Sequence, residues 1–466
     1  MATSTAAVDG KRPELVRELN AWHSTAIVVG TIIGSGIFLV PAEMMQAVGS
    51  ARMVYLAWIV GGLLSFFGAM TYAELGALRP WAGGEYVYIR DAYGPLPGFL
   101  YAWTWFLIAK PASIASVTSG LVRVLGNFSA FSFLPHPILS LQSGYQLTYG
   151  HLLAIAATIL ITALNYLGVR KAGNFQLVMT TLKVVMIAVI IVAGFSATTG
   201  TWSNFGTTFL GAKGGMAGFM LALVAALWAY DGWNDLNMVS GEIRNPERSI
   251  PLALIAGVAI VAVLYIGVNA AVQYVMPASA VAASPVPASA ATQIAIGRLG
   301  ALLVSAGMAL SMFVTLNGTI MSGGRIPFAV SRDGYFFKSL AEVHPRFHTP
   351  AMALIVQCVM AVALLLGGGS FRDFLELAIF SEWLFYMIAA STIFVFRVRE
   401  PNAQRPYRAW GYPVMPALFV VAAAVLLYFT FMDKLYRSPV GTVVMTLVIL
   451  SGVPVFWYFA RQKKAA

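Results

Sequence analysis

The sequence predicts an all-α polytopic membrane protein with twelve transmembrane helices. Of its 466 residues, 59% are hydrophobic and 10% are charged, whereas soluble domains have roughly 45–50% and 25%. Continuous apolar stretches favour helices over the alternating strands of a barrel. The predicted spans are 22–48, 53–78, 95–124, 148–168, 173–195, 215–241, 250–275, 298–330, 350–368, 371–397, 410–431 and 438–460.

The positions of lysine and arginine support this count. Twenty of the 29 lie in the termini and in every second loop, seven lie in the other loops, and Lys110 and Lys183 lie inside spans. Since cytoplasmic loops carry an excess of these residues, both termini are expected to be cytoplasmic. Because the formal net charge of +11 is spread over short loops, it does not indicate a nucleic-acid partner.

Four segments follow from the span pattern. Residues 1–21 form a polar N-terminal tail that lacks the apolar core of a cleaved leader, so the first span is retained. Residues 22–397 form a ten-helix core. Residues 398–460 hold helices 11 and 12, and residues 461–466 form a cytoplasmic tail.

The first span contains a poor helical sequence, Gly34-Ser35-Gly36. Glycine costs roughly 1 kcal/mol relative to alanine in a helix interior, and the serine hydroxyl competes for backbone bonds. A break here frees the amides of Ser35, Gly36 and Ile37 to face an anion, and the carbonyls of Ile32 and Ile33 to face a cation. An α-amino acid zwitterion carries both charges. The alternative is a Gly-x-Gly packing contact between helices.

A second break is predicted in span 6, where the sequence Asp231-Gly232-Trp233-Asn234-Asp235 interrupts an apolar stretch. Spans 1 and 6 run in opposite directions, so each begins a five-helix unit, at about 22–195 and 215–397. Broken helices at matching positions are typical of inverted-repeat transporters with a site at mid-membrane.

Several charged residues lie inside spans. Lys183 in span 5 is about eleven residues, or roughly 16 Å, from the cytoplasmic end, so it needs a partner inside the protein. It could bind the carbonyls freed by the first break, either as a fixed strut or as a carrier of a coupled proton. Lys110 could line a site, but a packing or vestibule charge is the favoured interpretation. Glu74 is interpreted as a partner of a basic loop. Weaker candidates for a vestibule or gate are Glu43, Glu376 and Glu382.

The chain resembles the amino acid–polyamine–organocation (APC) superfamily, and within it the bacterial members of the L-type amino acid transporter family. The resemblance covers spans 1 to 10. Its motifs are Gly34-Ser35-Gly36-Ile37-Phe38, Tyr72-Ala73-Glu74-Leu75-Gly76, Gly83-Gly84-Glu85-Tyr86, Lys110-Pro111, Lys183, Tyr230-Asp231-Gly232-Trp233-Asn234, Glu242 with Asn245-Pro246 and Ile250-Pro251, Asn317-Gly318 with Arg325, Ser381-Glu382-Trp383-Leu384-Phe385-Tyr386, and Arg405-Pro406-Tyr407-Arg408.

This resemblance implies a leucine-transporter-like fold of ten core helices plus two, in a bacterial inner membrane. The implied function is sodium-independent exchange of neutral L-amino acids by alternating access. The amides after Gly34 would bind the substrate carboxylate, and the carbonyls of Ile32, Trp228 and Ala229 its ammonium. Trp228 would close over the substrate as a gate, and Lys183 would replace a sodium ion.

Three departures from the family pattern qualify this expectation. Asp231 stands where many animal members have a small residue. It could strengthen binding of a zwitterion or, if it faces the side-chain pocket, favour cationic substrates, so proton-coupled uptake of cationic amino acids or polyamines is the alternative function. Gly323-Gly324 stand where small hydroxyl residues are usual near the lysine. The loop between spans 3 and 4 has no cysteine, so no disulfide-linked heavy subunit is expected.

Other functional classes are disfavoured. The five histidines lie in loops or at span ends, and no cluster has the spacing of a metal site or a catalytic nucleophile, so neither an enzyme nor a cofactor is predicted. The breaks are single rather than a ring of selectivity-filter repeats, which argues against a channel. A sensor would be expected to carry a soluble signalling domain, and none is seen.

Overall fold

The structure is a computed structural model that describes residues 14–126, 128–140, 146–367, 371–437 and 439–465. It is built almost wholly of helices. Their bounds are α1 Ala21–Ile32, α2 Gly36–Val48, α3 Ala51–Leu78, α4 Glu85–Tyr93, α5 Pro95–Thr104, α6 Lys110–Leu125, α7 Tyr149–Tyr166, α8 Val169–Phe195, α9 Gly215–Ala229, α10 Asp235–Met238, α11 Pro246–Val275, α12 Ala278–Ala283, α13 Pro287–Ile296, α14 Arg298–Gly323, α15 Arg325–Arg332, α16 Ala351–Leu366, α17 Phe371–Arg399, α18 Val414–Arg437 and α19 Pro439–Ala465.

Helices occupy each of the twelve predicted ranges. Among the described residues, seven helical segments, two of which join neighbouring helices, are long and apolar enough to cross a membrane by length and composition, and the bent pair α1 and α2 makes an eighth. The count of twelve crossings stays a prediction. The predicted tail 1–21 falls partly on residues 1–13, which lie outside the described residues.

The connections between helices carry little other structure. A short antiparallel pair, β1 Pro137–Ser140 and β2 Gln146–Thr148, lies between α6 and α7. The segment 276–297 folds into α12 and α13, which pack on α2 and α14. A π-helical turn, Trp105–Ala109, joins α5 to α6.

Both predicted helix breaks are present. The chain leaves α1 after Ile32, bends by 40° and enters α2 at Gly36. It leaves α9 after Ala229 and resumes helical structure in the short α10. The two breaks are in contact, because a Cβ atom on Gly36 would lie 3.2 Å from that of Ala229. The packing alternative for the Gly-x-Gly sequence is therefore realised together with the break.

Buried ion pairs stabilise the predicted cytoplasmic end of the bundle. Arg325 binds Glu242 through two hydrogen bonds of 2.7 and 3.0 Å, and both side chains are fully buried. The Glu242 carbonyl also accepts the amides of Glu18 and Leu19, each at 2.9 Å. Glu74 accepts a hydrogen bond from Arg397 at 2.7 Å, which confirms its expected pairing with a basic residue. This end of the bundle is held closed by charge-assisted contacts.

Removing one partner of the buried pair should destabilise the fold. Glu242→Ala leaves the Arg325 guanidinium buried without a counter-ion, which costs about 3–5 kcal/mol. We expect a clear fall in the thermal unfolding midpoint of the purified protein. Glu247→Ala removes an exposed carboxylate at the start of α11 and should leave the midpoint nearly unchanged. Equal midpoints for the two variants would contradict this assignment.

Candidate functional site

A central cavity of about 130 Å³ lies where the two breaks meet. Its walls come from both broken helices and from α6, α14 and α17. Of the residues predicted as a site, the cavity is lined by Ile32, Gly34, Ser35, Gly36, Trp228, Ala229 and Asp231. The predicted residues Ile33, Ile37 and Lys183 are buried beside it but do not line it.

The first break offers hydrogen-bond donors to this cavity. The backbone amides of Ser35, Gly36 and Ile37 have no acceptor within the described part of the chain. They begin α2, a helix of 13 residues, whose N-terminal end carries a partial positive charge. Ser35, the N-cap residue, forms no side-chain cap, so its hydroxyl does not occupy the amides of the first turn of α2. The arrangement suits a small anion such as a carboxylate.

The carbonyls that end α1 and α9 are joined by a single hydroxyl group. Tyr265 of α11 donates to Ile32 O at 3.1 Å and to Ala229 O at 2.9 Å. Ile32 O also accepts the amide of Gly34 at 2.8 Å, so it already has two donors. Trp228 O accepts the amides of Tyr230 and Asp231. Because a carbonyl has two lone pairs, Ala229 O keeps the most freedom to accept an ammonium group.

Sequence reasoning missed Tyr265. Its only signal was a phenol in the middle of an otherwise apolar span, and that hydroxyl had no predicted partner. In the fold it lies fully buried behind both breaks, where it satisfies a carbonyl from each. Thr31 adds a second direct link, since its Oγ1 donates to Gly232 O at 2.8 Å.

Lys183 lies on the side of the first break that faces away from the cavity. Its Nζ donates to Gly30 O at 2.9 Å, to Ile33 O at 2.6 Å and to Ser311 O at 3.3 Å. These three carbonyls use all three ammonium hydrogens. The predicted contact with carbonyls freed by the break is therefore present.

The expectation about Gly323-Gly324 is wrong, because hydroxyl residues of α14 do lie near the lysine. Ser311 Oγ donates to Ile33 O at 2.6 Å, and Thr315 Oγ1 donates to Gly30 O at 3.3 Å. Gly323 lies twelve residues beyond Ser311, or about 18 Å along the helix, next to Gln357. The error was one of register along a helix whose apolar sequence gave no landmark.

Charged side chains form the wall of the cavity opposite α2. Lys110 of α6 makes a buried ion pair with Asp235 of α10. Glu382 also lines the cavity and accepts a hydrogen bond from Ser113 at 3.2 Å. The interpretation of Lys110 as a packing or vestibule charge is therefore wrong. The π-helical turn just before it holds one residue more than a regular turn, which rotates the residues that follow around the axis.

The other acidic candidates lie elsewhere. Glu43 is exposed on α2 and does not line the cavity. The side chain of Glu376 lies outside the described residues. Trp228, the predicted gate, is half-buried in the cavity wall, and its ring lies 3.6 Å from the Cβ position of Gly36. It is thus placed beside the first turn of α2.

The chain is similar to known proteins along nearly its whole length. The family model described as "Amino acid permease" matches residues 19–454. The b(0,+)-type amino acid transporter 1 of Mus musculus is 30% identical over 470 residues, covering 99% of this chain and 91% of its own. The serine/threonine exchanger SteT of Bacillus subtilis is 31% identical over 454 residues, covering 96% and 98%. The cystine/glutamate transporter of Homo sapiens is 31% identical, covering 96% and 86%.

Replacing Lys183 should impair function more than folding. Lys183→Ala removes a hydrogen bond from each of three carbonyls, of which Gly30 O and Ile33 O keep hydroxyl donors. We expect similar amounts of membrane-inserted protein but uptake of radiolabelled L-serine into proteoliposomes reduced by about tenfold or more, since tenfold corresponds to only 1.4 kcal/mol. Lys171→Ala, an exposed lysine of the same helix, is the control. Uptake equal to that of the control would leave Lys183 a packing residue only.

Proposed function

Because this chain belongs to the amino acid permease family of the APC superfamily, we propose that it moves neutral L-amino acids across the membrane by sodium-independent exchange with alternating access. It is an integral multi-pass membrane protein and not an enzyme. The observation that carries the proposal is the cavity between the two breaks. There the unpaired amides of one broken helix lie near the terminal carbonyl of the other.

The substrate backbone fits these two groups of atoms. Its carboxylate takes the amides of Ser35, Gly36 and Ile37, where the helix N-terminus adds favourable charge. Its ammonium takes Ala229 O first, with Ile32 O and Trp228 O beside it. Trp228 closes over the bound substrate from the cavity wall. This assignment uses only groups that adjoin the cavity.

Sodium independence follows from the position of Lys183. An ammonium group that binds Gly30 O, Ile33 O and Ser311 O already places a positive charge on the carbonyls that a sodium ion would need. A second cation there would meet strong repulsion at short distance. In this proposal the lysine is a fixed strut.

The proposed architecture extends this reasoning to the whole chain. Twelve spans form a leucine-transporter-like 5+5 inverted repeat over about 22–195 and 215–397, followed by two further helices. Both termini face the cytoplasm of a bacterial-type inner membrane. With no cysteine between α6 and α7, the chain acts without a disulfide-linked heavy subunit.

A second candidate function is favoured by the charge of the cavity wall. Lys110 neutralises Asp235, but Asp231 and Glu382 line the same cavity and form no ion pair within the described residues. A substrate with a positively charged side chain would supply the missing charge. Proton-coupled uptake of cationic amino acids or polyamines is therefore the alternative.

Transport by purified protein in proteoliposomes distinguishes the two functions. We expect uptake of labelled L-serine only into vesicles preloaded with unlabelled L-serine, at equal rates in sodium and choline buffers, with unlabelled L-arginine a weak competitor. Uptake that needs a sodium gradient would reject the proposal. Uptake into empty vesicles driven by an inward proton gradient, with L-arginine as the stronger competitor, would establish the alternative.

The carboxylate site has its own test. Ser35→Pro removes one amide donor, and the φ of −76° at this position already suits proline. We expect loss of the thermal stabilisation that saturating L-serine gives the parent protein. Ser35→Ala keeps the amide and removes only the hydroxyl, so it should retain that stabilisation. Unchanged stabilisation in the proline variant would remove these amides from the binding site.

A further inference from the structure

Glu85 is a fully buried carboxylate that the proposed transport cycle does not use. It begins α4, in the connection between α3 and α5 and outside the spans, and its exposed fraction is 0%. No lysine or arginine of the described chain forms an ion pair with it. Its oxygens instead accept hydrogen bonds from Asn234 Nδ2 at 2.7 Å and from the Tyr101 hydroxyl at 3.2 Å.

The two glycines before Glu85 place it against the second broken helix. Gly83 and Gly84 have φ values of +103° and +50°, which non-glycine residues rarely adopt. The Gly83 amide donates to Met238 O at 2.9 Å, and a Cβ on Gly84 would lie 2.8 Å from the carbonyl carbon of Asn237. The start of α4 therefore packs directly against the backbone of α10.

Hydrogen bonds connect Glu85 to the substrate cavity. Asn234 lies in the linker of the second break and lines the cavity. While its Nδ2 donates to Glu85, its Oδ1 accepts the hydroxyl of Tyr386 at 3.1 Å. Tyr386 lines the cavity as well. Two side chains thus link the buried carboxylate to the wall against which a substrate would lie.

We propose that Glu85 is a protonation site that makes transport pH-dependent, because its charge fixes the orientation of Asn234 and, through it, that of Tyr386 at the cavity. In this role Glu85 is a positioning residue. The inference rests on the proposed amino acid transport, since it concerns the affinity of that same site.

The two protonation states of Glu85 favour different orientations of the Asn234 side-chain amide. An ionised carboxylate only accepts hydrogen bonds, so it holds the amide with Nδ2 toward itself and Oδ1 toward Tyr386. A protonated carboxyl donates as well, and it stabilises the amide turned by half a rotation. Tyr386 would then face Nδ2, so its hydroxyl could no longer donate to Asn234 and would have to accept from it and turn its proton toward another group such as Asp231. Protonation is therefore expected to loosen the cavity wall and weaken substrate binding.

The surroundings of Glu85 bring the change in its charge into a pH range that a transport assay can cover. Burial raises the pKa of the Glu85 carboxyl to about 7, while the hydrogen bond from Asn234 opposes the rise. Lys110 lowers this pKa and Asp235 raises it, and these two side chains are paired with each other. Four phenols also face Glu85, on α3, α4, α5 and α17 in turn: Tyr72, Tyr88, Tyr101 and Tyr386. The carboxyl groups of Asp231 and Glu382 lie near the last of these, Tyr386.

The test compares the KM for exchange of L-serine at pH about 5.5 and about 8, a range in which the buried carboxyl changes charge. We expect the parent KM to be about threefold or more higher at the acidic pH. Glu85→Gln, which is neutral and can donate, should keep the high KM at both pH values, while Glu247→Gln should behave like the parent. A parent KM that does not change with pH, or an unchanged pH profile in Glu85→Gln, would overturn the proposal.

Two further measurements cover other outcomes. Tyr101→Phe removes one donor to the ionised form, so the midpoint of the KM profile should move to higher pH, and an unmoved midpoint counts against the proposal even if Glu85→Gln fails to fold. An infrared pH titration of the purified protein should show a buried carboxyl band that is missing in Glu85→Gln. That band in a protein that takes up no L-serine would refute the proposed function but not the protonation site, and its absence would refute the site.

Discussion

The structure depends on satisfying backbone polar groups where two helices are interrupted inside an apolar bundle. Each unpaired amide or carbonyl in such surroundings costs several kcal/mol, so an interruption persists only where other groups replace the lost helical bonds. On the carbonyl side the replacement is nearly complete, through Lys183, Ser311 and Tyr265. On the amide side, no group of the described residues replaces it at Ser35, Gly36 and Ile37. Because of this asymmetry, the site favours binding of an anionic group.

The same contacts decide which parts of the molecule move together. Tyr265 and Thr31 link the two breaks to each other by hydrogen bonds, which favours their moving together. The glycine turn before Glu85 attaches α4 to the end of the second broken helix. An opening at the predicted cytoplasmic end that separates this assembly from α15 would have to break the contact of Glu242 with Arg325. Breaking that contact is costly unless its charges reach water as the gap opens.

Prediction from the sequence succeeded where a residue type is unusual for the segment that contains it. The glycines around Ser35 are unfavourable in a helix, and the charge of Lys183 is unfavourable in an apolar span. The helix break and the buried partner of the lysine could therefore be predicted without knowing which residues pack around them. Features that arise from rotation or register could not be predicted. Lys110 reaches the cavity because of a five-residue π-helical turn that no composition signal marked. Tyr265 and the hydroxyls near Lys183 depend on how α11 and α14 are aligned along their length, which apolar sequence leaves undetermined.

The charge of the cavity links the proposed substrate to the protonation of the wall. Asp231, Asp235, Glu382 and Glu85 lie close together, and Lys110 is the cation that pairs among them. Holding several ionised carboxylates in a buried space with a single ammonium group is strongly unfavourable. A zwitterionic substrate brings no net charge, so it cannot correct this imbalance. A substrate with a positively charged side chain would offset the negative charge of this wall, whereas a zwitterion leaves it to Lys110 and to the hydrogen-bond donors around the cavity. The charge of the cavity wall is therefore the property that separates the two proposed substrate classes.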